Sequence, residues 1–297
     1  MNEMLNLDDY KANCPRCDRK RYVTRAAVDV ARADICTECF DVCPACNGEE
    51  YTFDRNPQGY SFVRNCPVCT VLRDRIATFN DARIPARYHA HGATLEEFQT
   101  DEPDPKGKAR PVGNLPRVRL RLYKWTMGFV PGERGFLLHG EVGTGKTHLL
   151  AAVVRHLTLE KGIVARFVEF THLLSEIREQ FDQGRGESAI LGPLMDVPVL
   201  AIDELGKGRN NEWQLSVIDE IISKRYNRGL TTLFTTNYPL DALPSHVGDT
   251  HSPEFRRNAL SETLRERIGE RIFSRLFEMS DFVAIEAPDY RKRKTDP

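Results

Sequence analysis

Eight consecutive residues near the middle of the chain have the types and spacing of a phosphate-binding loop. Residues 140–147 read Gly-Glu-Val-Gly-Thr-Gly-Lys-Thr, which satisfies the pattern G-x₄-G-K-[ST] at every fixed position. The glycines allow main-chain N–H groups to surround phosphate oxygens, and the N-terminus of a following helix adds partial positive charge. We predict that the residues binding a nucleoside triphosphate are Gly140, Glu141, Val142, Gly143, Thr144, Gly145, Lys146 and Thr147.

Two acidic residues follow an apolar segment further along the chain. Asp203 and Glu204 come directly after residues 197–202, which are Val-Pro-Val-Leu-Ala-Ile. Lys146 is expected to reach the β- and γ-phosphates of ATP, while Thr147 and Asp203 hold Mg²⁺. Glu204 is suited to polarising the attacking water, and its presence favours hydrolysis over nucleotide binding alone.

A third apolar segment ends in an amide side chain. Residues 231–236 precede Asn237, and Pro239 follows two positions later. Taken alone, Asn237 is typical of a turn. Because Asn237 follows the phosphate-binding loop and the Asp203-Glu204 pair along the chain, it is predicted to orient the lytic water and to sense the γ-phosphate.

All eight cysteines lie in the first part of the chain. They form four pairs, each with two intervening residues: Cys14 and Cys17, Cys36 and Cys39, Cys43 and Cys46, Cys66 and Cys69. Between Cys17 and Cys36 lie 18 residues, and between Cys46 and Cys66 lie 19, which is the spacing of zinc ribbons. Four thiolates form a closed structural zinc site, so we predict two Cys₄ sites filled in sequential order. The sequence leaves open a crossed pairing, and also free or disulfide-bonded cysteines.

The elements needed to position the phosphate loop begin at residue 135. Predicted strands at 135–139, 163–169, 197–202, 231–236 and 282–285 alternate with predicted helices at 146–161, 171–183, 212–227 and 261–277. This alternation predicts an α/β fold with a mainly parallel sheet flanked by helices. The predicted domains are a cysteine-rich region at 1–75, a connecting segment at 76–116 with a loop over 101–116, and an ATPase domain at 117–297.

Composition and charge argue against a membrane or secreted protein, and they leave open whether the protein binds nucleic acid. Lys and Arg number 42 against 43 Asp and Glu, so the whole-chain charge argues neither for nor against nucleic acid. Acidic residues outnumber basic ones in residues 1–70, which favours protein docking over phosphate binding by that module. No apolar run suits a bilayer, and the chain start lacks a secretory signal pattern, so we predict a cytoplasmic protein.

Several motifs in combination resemble those of one branch of the AAA+ ATPases. In order they are Gly-x₄-Gly-Lys-Thr-His-Leu-Leu, Ile-Asp-Glu-Leu-Gly, Thr-Thr-Asn-Tyr, Gly-Glu-Arg-Ile-Phe-Ser-Arg-Leu and Asp-Tyr-Arg. Over residues 83–291 the chain resembles the DnaC/IstB branch, which holds bacterial replicative-helicase loaders and helper ATPases of some transposons. The resemblance implies a P-loop AAA+ domain behind the small double zinc-ribbon-like module.

The resemblance also implies roles for arginines near the end of the chain. Arg275 matches an arginine finger that reaches the γ-phosphate of the next subunit, with Arg271 as the fallback candidate, and Arg291 matches a sensor arginine that contacts phosphate in its own subunit. A homo-oligomer with ATP at the subunit interface follows. The alternative is that Arg271 and Arg275 make surface ion pairs of small value. In this branch an additional helix, matching residues 171–192 here, faces single-stranded DNA.

Three functions fit these features. The first is a loader that uses ATP, Mg²⁺ and zinc to place a ring-shaped replicative helicase on single-stranded DNA. The second is a transposition helper that recruits a transposase, and the third is a zinc-ribbon adaptor for which ATP is only a switch. Glu204 argues against the third, because a pure switch needs no residue that activates water.

Overall fold

A five-stranded sheet forms the centre of the protein. The computed structural model describes residues 14–18, 20–38, 43, 45–89, 93–103, 107–183, 188–208, 211–240 and 262–293. The strands are β1 Tyr22–Ala27, β2 Val30–Ile35, β3 Tyr51–Arg55, β4 Ser61–Asn65, β5 Asp101–Pro103, β6 Ala109–Pro111, β7 Gly135–Gly140, β8 Ala165–Glu169, β9 Val199–Asp203, β10 Thr231–Thr236 and β11 Ser280–Ile285.

The helices cover both faces of this sheet. They are α1 Cys69–Ala82, α2 Leu115–Gly128, α3 Lys146–Leu159, α4 Phe170–Asp182, α5 Ser188–Asp196, α6 Glu212–Asn227, α7 Leu264–Ile268, α8 Glu270–Met279 and α9 Tyr290–Arg293. A 3-10 helix, Ala86–Tyr88, follows α1. Helices α1, α2 and α3 contribute to one apolar core, and α4, α5, α6 and α8 contribute to the other.

The central sheet is entirely parallel, in the order β11-β7-β10-β9-β8. Every residue of β9 and β10 is buried, as expected for strands covered by helices on both faces. The phosphate loop lies at the carboxyl end of β7, Asp203 and Glu204 lie at that of β9, and Asn237 lies at that of β10. These three strands are neighbours in the sheet. The parallel α/β fold predicted from the sequence is confirmed.

Two antiparallel hairpins lie between the cysteine pairs, and they differ in their surroundings. The first cysteine hairpin, β1 and β2, places Tyr22, Ala31 and Ala33 in the apolar core that also contains much of α3. The second cysteine hairpin, β3 and β4, leaves Phe53 and Val63 exposed. Helix α1 begins at the last cysteine and runs across position 75, the predicted domain boundary, so the chain passes from one region to the other without a linker there.

Two details of the predicted elements are wrong. Residues 101–116 were expected to form a loop, but β5 and β6 pair as a short hairpin and α2 begins at Leu115. The helix predicted over 261–277 is two helices, because Gly269 has a φ of +81° and ends α7. The helix predicted over 171–183 corresponds to α4, and the stretch 171–192, which the resemblance matched to an additional helix, also holds the start of α5; residues 184–187 lie outside the described residues.

No helix among the residues given above combines the length and the apolar character needed to cross a membrane.

Candidate nucleotide and metal sites

The phosphate loop joins the end of β7 to the start of α3 and is held by close backbone contacts. Gly140 has a φ of +148°, and a Cβ at this position would lie 2.3 Å from the carbonyl oxygen of Ile285 on β11. Gly143 has a φ of +81°, and a Cβ there would meet the carboxylate of Asp289 at 1.9 Å. Any side chain at either position would be strained and would displace a neighbour.

Lys146 is folded back onto the loop that precedes it. Its Nζ donates hydrogen bonds to the carbonyl oxygens of Gly140, at 2.8 Å, and Glu141, at 2.6 Å. Burial lowers the pKa of this ammonium to about 8. The loop carbonyls therefore hold the ammonium group at the N-terminus of α3, where a triphosphate is expected to bind.

The two predicted magnesium ligands are in direct contact. The Thr147 hydroxyl donates to Oδ1 of Asp203 over 3.0 Å. Burial raises the pKa of Asp203 to about 6, although hydrogen bonds from Thr235 and Thr147 oppose this shift. A hydroxyl beside a carboxylate is an all-oxygen donor set, which fits Mg²⁺.

Glu204 follows Asp203 in a strained backbone conformation. Its φ is +57°, and its N–H donates to the hydroxyl of Thr235 at 2.9 Å. The carboxylate pairs with Lys207, whose ammonium also lies 3.7 Å from Glu169. A non-glycine residue in this region of φ costs energy, and such strain is concentrated at functional sites.

Most of the residues predicted for the nucleotide site line one cavity of about 600 Å³, whereas Gly140, Glu141 and Asp203 are not among its lining residues. Its lining includes the predicted site residues Val142, Gly143, Thr144, Gly145, Lys146, Thr147, Glu204, Asn237 and Arg291. Arg291 is held by Asp289, with Nε to Oδ1 and Nη2 to Oδ2 both 3.1 Å, and its hydrogen bonds lower the pKa of that carboxylate. The structure thus brings most of the residues predicted for nucleotide chemistry around one space.

Arg275 is placed elsewhere. Its guanidinium donates to Oδ1 of Asp219, at 2.8 Å, and to the hydroxyl of Ser223, at 2.6 Å, both on α6. Its side chain is 21% exposed, whereas that of Arg271 is 72% exposed and lies 3.9 Å from the same aspartate. Neither arginine lines the cavity of its own chain.

Several residues of the site make contacts that the sequence does not reveal. Thr235 belongs to the Thr-Thr-Asn-Tyr motif, but its hydrogen bonds with Asp203 and with the backbone of Glu204 are made across the sheet. Tyr88 and Phe98 line the cavity from a different region, and their rings approach the His148 ring at 5.7 and 5.2 Å. Only the tertiary fold brings these residues to the phosphate loop.

The described cysteines form two groups in chain order. Cys43, Cys46, Cys66 and Cys69 make one group, and Cys14, Cys17 and Cys36 make the other, with the sulfurs of each group within 4.8 Å of one another. Cys39 lies outside the described residues.

The spacing of the sulfurs suits zinc. The Sγ–Sγ distances are 3.8 Å for Cys14 and Cys36 and 3.7 Å for both Cys43–Cys66 and Cys46–Cys69. A tetrahedron with Zn–S bonds of about 2.3 Å has edges of about 3.8 Å. Both groups therefore fit tetrahedral thiolate coordination. In the group of Cys14, Cys17 and Cys36, this holds for the three cysteines that are described.

A parallel sheet in this order, with a phosphate loop after β7 and an Asp-Glu pair after β9, defines a P-loop ATPase fold of the AAA+ class. The chain belongs to the family of IstB-like ATP binding proteins, whose model matches residues 120–296.

Relatives of known name include helicase loaders. The replicative helicase loader DnaC of Escherichia coli K12 is 28% identical over 115 residues, covering 38% of this chain and 46% of the relative. The replicative helicase loader DnaI of Bacillus subtilis is 29% identical over 183 residues, or 61% of this chain and 54% of the relative. These alignments span only about half the length of the relatives.

The structural comparison gives a consistent result. A crystal structure of the DnaC helicase loader superposes with a TM-score of 0.52 and 29% sequence identity, covering 67% of this chain and 99% of the other. The predicted DnaC/IstB-like AAA+ ATPase is therefore confirmed at the level of family and fold.

Proposed function

We propose that the protein is an ATP-hydrolysing loader that places a ring-shaped replicative helicase on single-stranded DNA. The observation that carries the proposal is the single cavity shared by Lys146, Thr147, Glu204 and Asn237, with Asp203 bonded to its edge. Similarity to proteins named as replicative helicase loaders supports the choice of partner.

Each side chain has a defined part in the proposed reaction. Lys146 binds the β- and γ-phosphates, and Thr147 and Asp203 hold the magnesium ion that neutralises developing charge. Glu204 accepts a proton from the attacking water, which Asn237 orients. Arg291 contacts phosphate in the same chain. Arg275 stabilises the transferred phosphoryl group in the adjacent subunit, which requires a homo-oligomer.

The cysteine-rich module supplies the proposed grip on the helicase. Each of the two cysteine groups would hold one Zn²⁺, which would fix the ends of the hairpin that it encloses. In the second cysteine hairpin, Phe53 and Tyr60 are 70% and 73% exposed. Exposed aromatic side chains are frequent anchors at protein interfaces.

The test compares Glu204→Gln with the wild type. ATP turnover is expected to fall by roughly a hundredfold or more, because water loses its base, while ATP binding persists. Helicase loading onto circular single-stranded DNA is then measured with the replicative helicase of the same organism. Glu133→Gln, a matched change in an exposed turn, is the control.

Three results would contradict this proposal. Turnover in Glu204→Gln equal to that of the wild type would remove the hydrolytic role of Glu204, and negligible turnover in the wild type itself, even with DNA, would favour the zinc-ribbon adaptor. Preference for duplex DNA, with filament formation and transposase recruitment, would favour the transposition helper, which the IstB-like family match also supports.

A further inference from the structure

A short segment after α1 provides one wall of the nucleotide cavity. Arg87 and Tyr88 of the 3-10 helix both line it, and the Arg87 guanidinium lies 4.8 Å from the centre of the Tyr88 ring. Burial raises the pKa of Tyr88, the nearby Arg87 guanidinium opposes this shift, and the Asp203 carboxylate adds to it. The Tyr88 ring lies 5.7 Å from the ring of His148, the residue that follows Thr147, and Tyr88 and Thr147 line the same cavity. Arg87 and Tyr88 therefore lie beside the start of α3, where a magnesium ligand is proposed.

The 3-10 helix is too short to fix its own position. Its internal hydrogen bonds are Tyr88 N–H to the Pro85 carbonyl, at 2.9 Å, and His89 N–H to the Ala86 carbonyl, at 3.1 Å. Helices of this type are weakly bonded and of limited length. The placement of Arg87 and Tyr88 must come from neighbouring elements.

The first cysteine hairpin is one of those neighbours. The N–H of Ala31 donates to the carbonyl of Ile84 at 2.7 Å, and the N–H of Ala86 donates to the carbonyl of Asp29 at 2.9 Å. These two bonds flank Pro85, which forms a β-bridge with Val30. The hairpin thus holds the start of the segment through main-chain bonds.

A side chain of the same hairpin holds the end of the segment. The Thr24 hydroxyl donates to the carbonyl of His89 at 2.6 Å. Arg155, buried on α3, donates to the same carbonyl at 3.1 Å and to the Thr24 hydroxyl at 3.3 Å. Thr24 therefore connects the cysteine hairpin, the cavity wall and the helix that begins at the phosphate loop.

We propose that Arg87 and Tyr88 contact the magnesium end of the bound nucleotide, and that Thr24 is a positioning residue that holds them there. The first cysteine hairpin is then a structural part of the nucleotide site. This inference rests on ATP binding in the proposed cavity. Because linkage is reciprocal, a partner that deforms the hairpin changes the affinity for Mg-ATP, and Mg-ATP changes the affinity for that partner.

The experiment is a double-mutant cycle with Thr24→Val and Tyr88→Phe in the full chain. Binding of a fluorescent ATP analogue is measured with Mg²⁺ and with EDTA. Each single variant is expected to weaken binding about three- to tenfold with Mg²⁺, the effect of one hydrogen bond, and to change it little with EDTA. The loss in the double variant should be smaller than the product of the two single losses, because part of the effect of Thr24 passes through Tyr88.

Thr78→Val is the matched control, since the exposed Thr78 hydroxyl donates to the Asp74 carbonyl within α1. Zinc content and melting temperature are measured for every variant. An equal loss with Mg²⁺ and with EDTA would reduce Thr24 to a structural role, and binding by Thr24→Val equal to that of Thr78→Val would overturn the inference. Failure of the wild type to bind Mg-ATP would instead refute the proposed function.

Hydrogen exchange in the wild type provides a test that needs no variant. Mg-ATP is expected to slow amide exchange in β1 and β2, because binding and hairpin order are linked. Exchange in β3 and β4, whose side chains are largely exposed, serves as the internal reference. Equal rates in β1 and β2 with and without Mg-ATP would contradict the linkage.

Discussion

The ionised Asp203 carboxylate lowers the stability of the nucleotide-free protein at neutral pH. Its folded-state pKa of about 6 lies above the ordinary value of 3.8, because the carboxyl group is buried. Its contribution to stability is fully present below about pH 4 and is lost as the pH rises through about 6. At neutral pH the ionised group therefore destabilises the folded chain until a cation neutralises it.

Asp203→Asn tests this account. Removing the buried charge is expected to stabilise the nucleotide-free protein at pH 7.5 by about 2–3 kcal/mol, and by much less at pH 4. The same change should abolish Mg-dependent ATP turnover. Thermal unfolding at the two pH values, with EDTA present, measures the first effect. A stabilisation independent of pH would show that ionisation of Asp203 is not its cause.

Arg275 forms an ion pair within its own chain. A test of its proposed role in the next subunit therefore needs a control variant that removes the ion pair and keeps the arginine. Arg275→Ala is expected to lower turnover by at least about a hundredfold, whereas Asp219→Ala frees the arginine and leaves turnover within about threefold of the wild type. Mixing Arg275→Ala with Lys146→Ala subunits should restore activity, because intact sites form at mixed interfaces. If Asp219→Ala were as inactive as Arg275→Ala, the arginine would act through the ion pair alone.

The residues with local chemical signatures were predictable. Lys146, Asp203, Glu204 and Asn237 each follow a recognisable strand, and the order of parallel strands brings their carboxyl ends together. Thr235 lies in the Thr-Thr-Asn-Tyr motif, but the contacts of its hydroxyl with Asp203 and Glu204 were not predictable, because they are made across the sheet. The same holds for Tyr88, which reaches the cavity from a segment with no motif.

At the scale of elements, the second cysteine hairpin shows how a module too small for a core presents apolar side chains. Its β3 strand is alternately exposed and partly buried, and all residues of β4 are exposed. Tyr51 and Phe53 pack edge to face with ring centres 5.8 Å apart, on the same face as Val63. These side chains form a small exposed aromatic surface.

Phe53→Ser is expected to weaken binding of the replicative helicase by roughly tenfold or more, because it removes a central anchor of the surface. ATP turnover and zinc content should not change. Titration of the labelled helicase with the full chain measures the affinity, and Thr52→Ser, on the opposite face of the same strand, is the control. Unchanged affinity in Phe53→Ser would exclude this face as the docking surface.

Element boundaries were predicted best where a strand or helix has clear chemical ends. Helix α6 and strand β10 begin and end where the sequence predicts, the first because Asn211 caps its N-terminus by accepting a hydrogen bond from Gln214 N–H. The break at Gly269 was missed, since the apolar spacing continues across α7 and α8. Periodicity alone does not reveal a change of axis between two helices in phase.

At the scale of the whole molecule, the cysteine-rich region and the ATPase region share one apolar core. Tyr22 of β1 belongs to this core, and its hydroxyl donates to the Glu160 carboxylate, beyond the end of α3, at 2.6 Å. Leu72 and Phe79 of α1 lie in the same core. Composition placed a boundary at residue 75, but packing between distant segments has no signature in a single sequence.

Loss of zinc should therefore destabilise the ATPase region. The protein has two tryptophans, Trp125 and Trp213, and both lie far from the cysteines in sequence. Chelation is expected to lower the melting temperature seen by tryptophan fluorescence by several degrees, in one transition, because Cys69 begins α1. Restoring Zn²⁺ should reverse the shift. An unchanged fluorescence transition would show that the regions unfold independently.

The sheet order also dictates when the phosphate loop acquires its shape during synthesis. β7 is flanked by β10 and β11, Gly140 rests against Ile285, and the Gly143 carbonyl accepts a hydrogen bond from the N–H of Tyr290. A nascent chain that has reached residue 147 already carries the whole motif but lacks both flanking strands. The ribosome must deliver β11 before the loop is enclosed, so a prematurely terminated product would retain the signature and lack its grip on nucleotide.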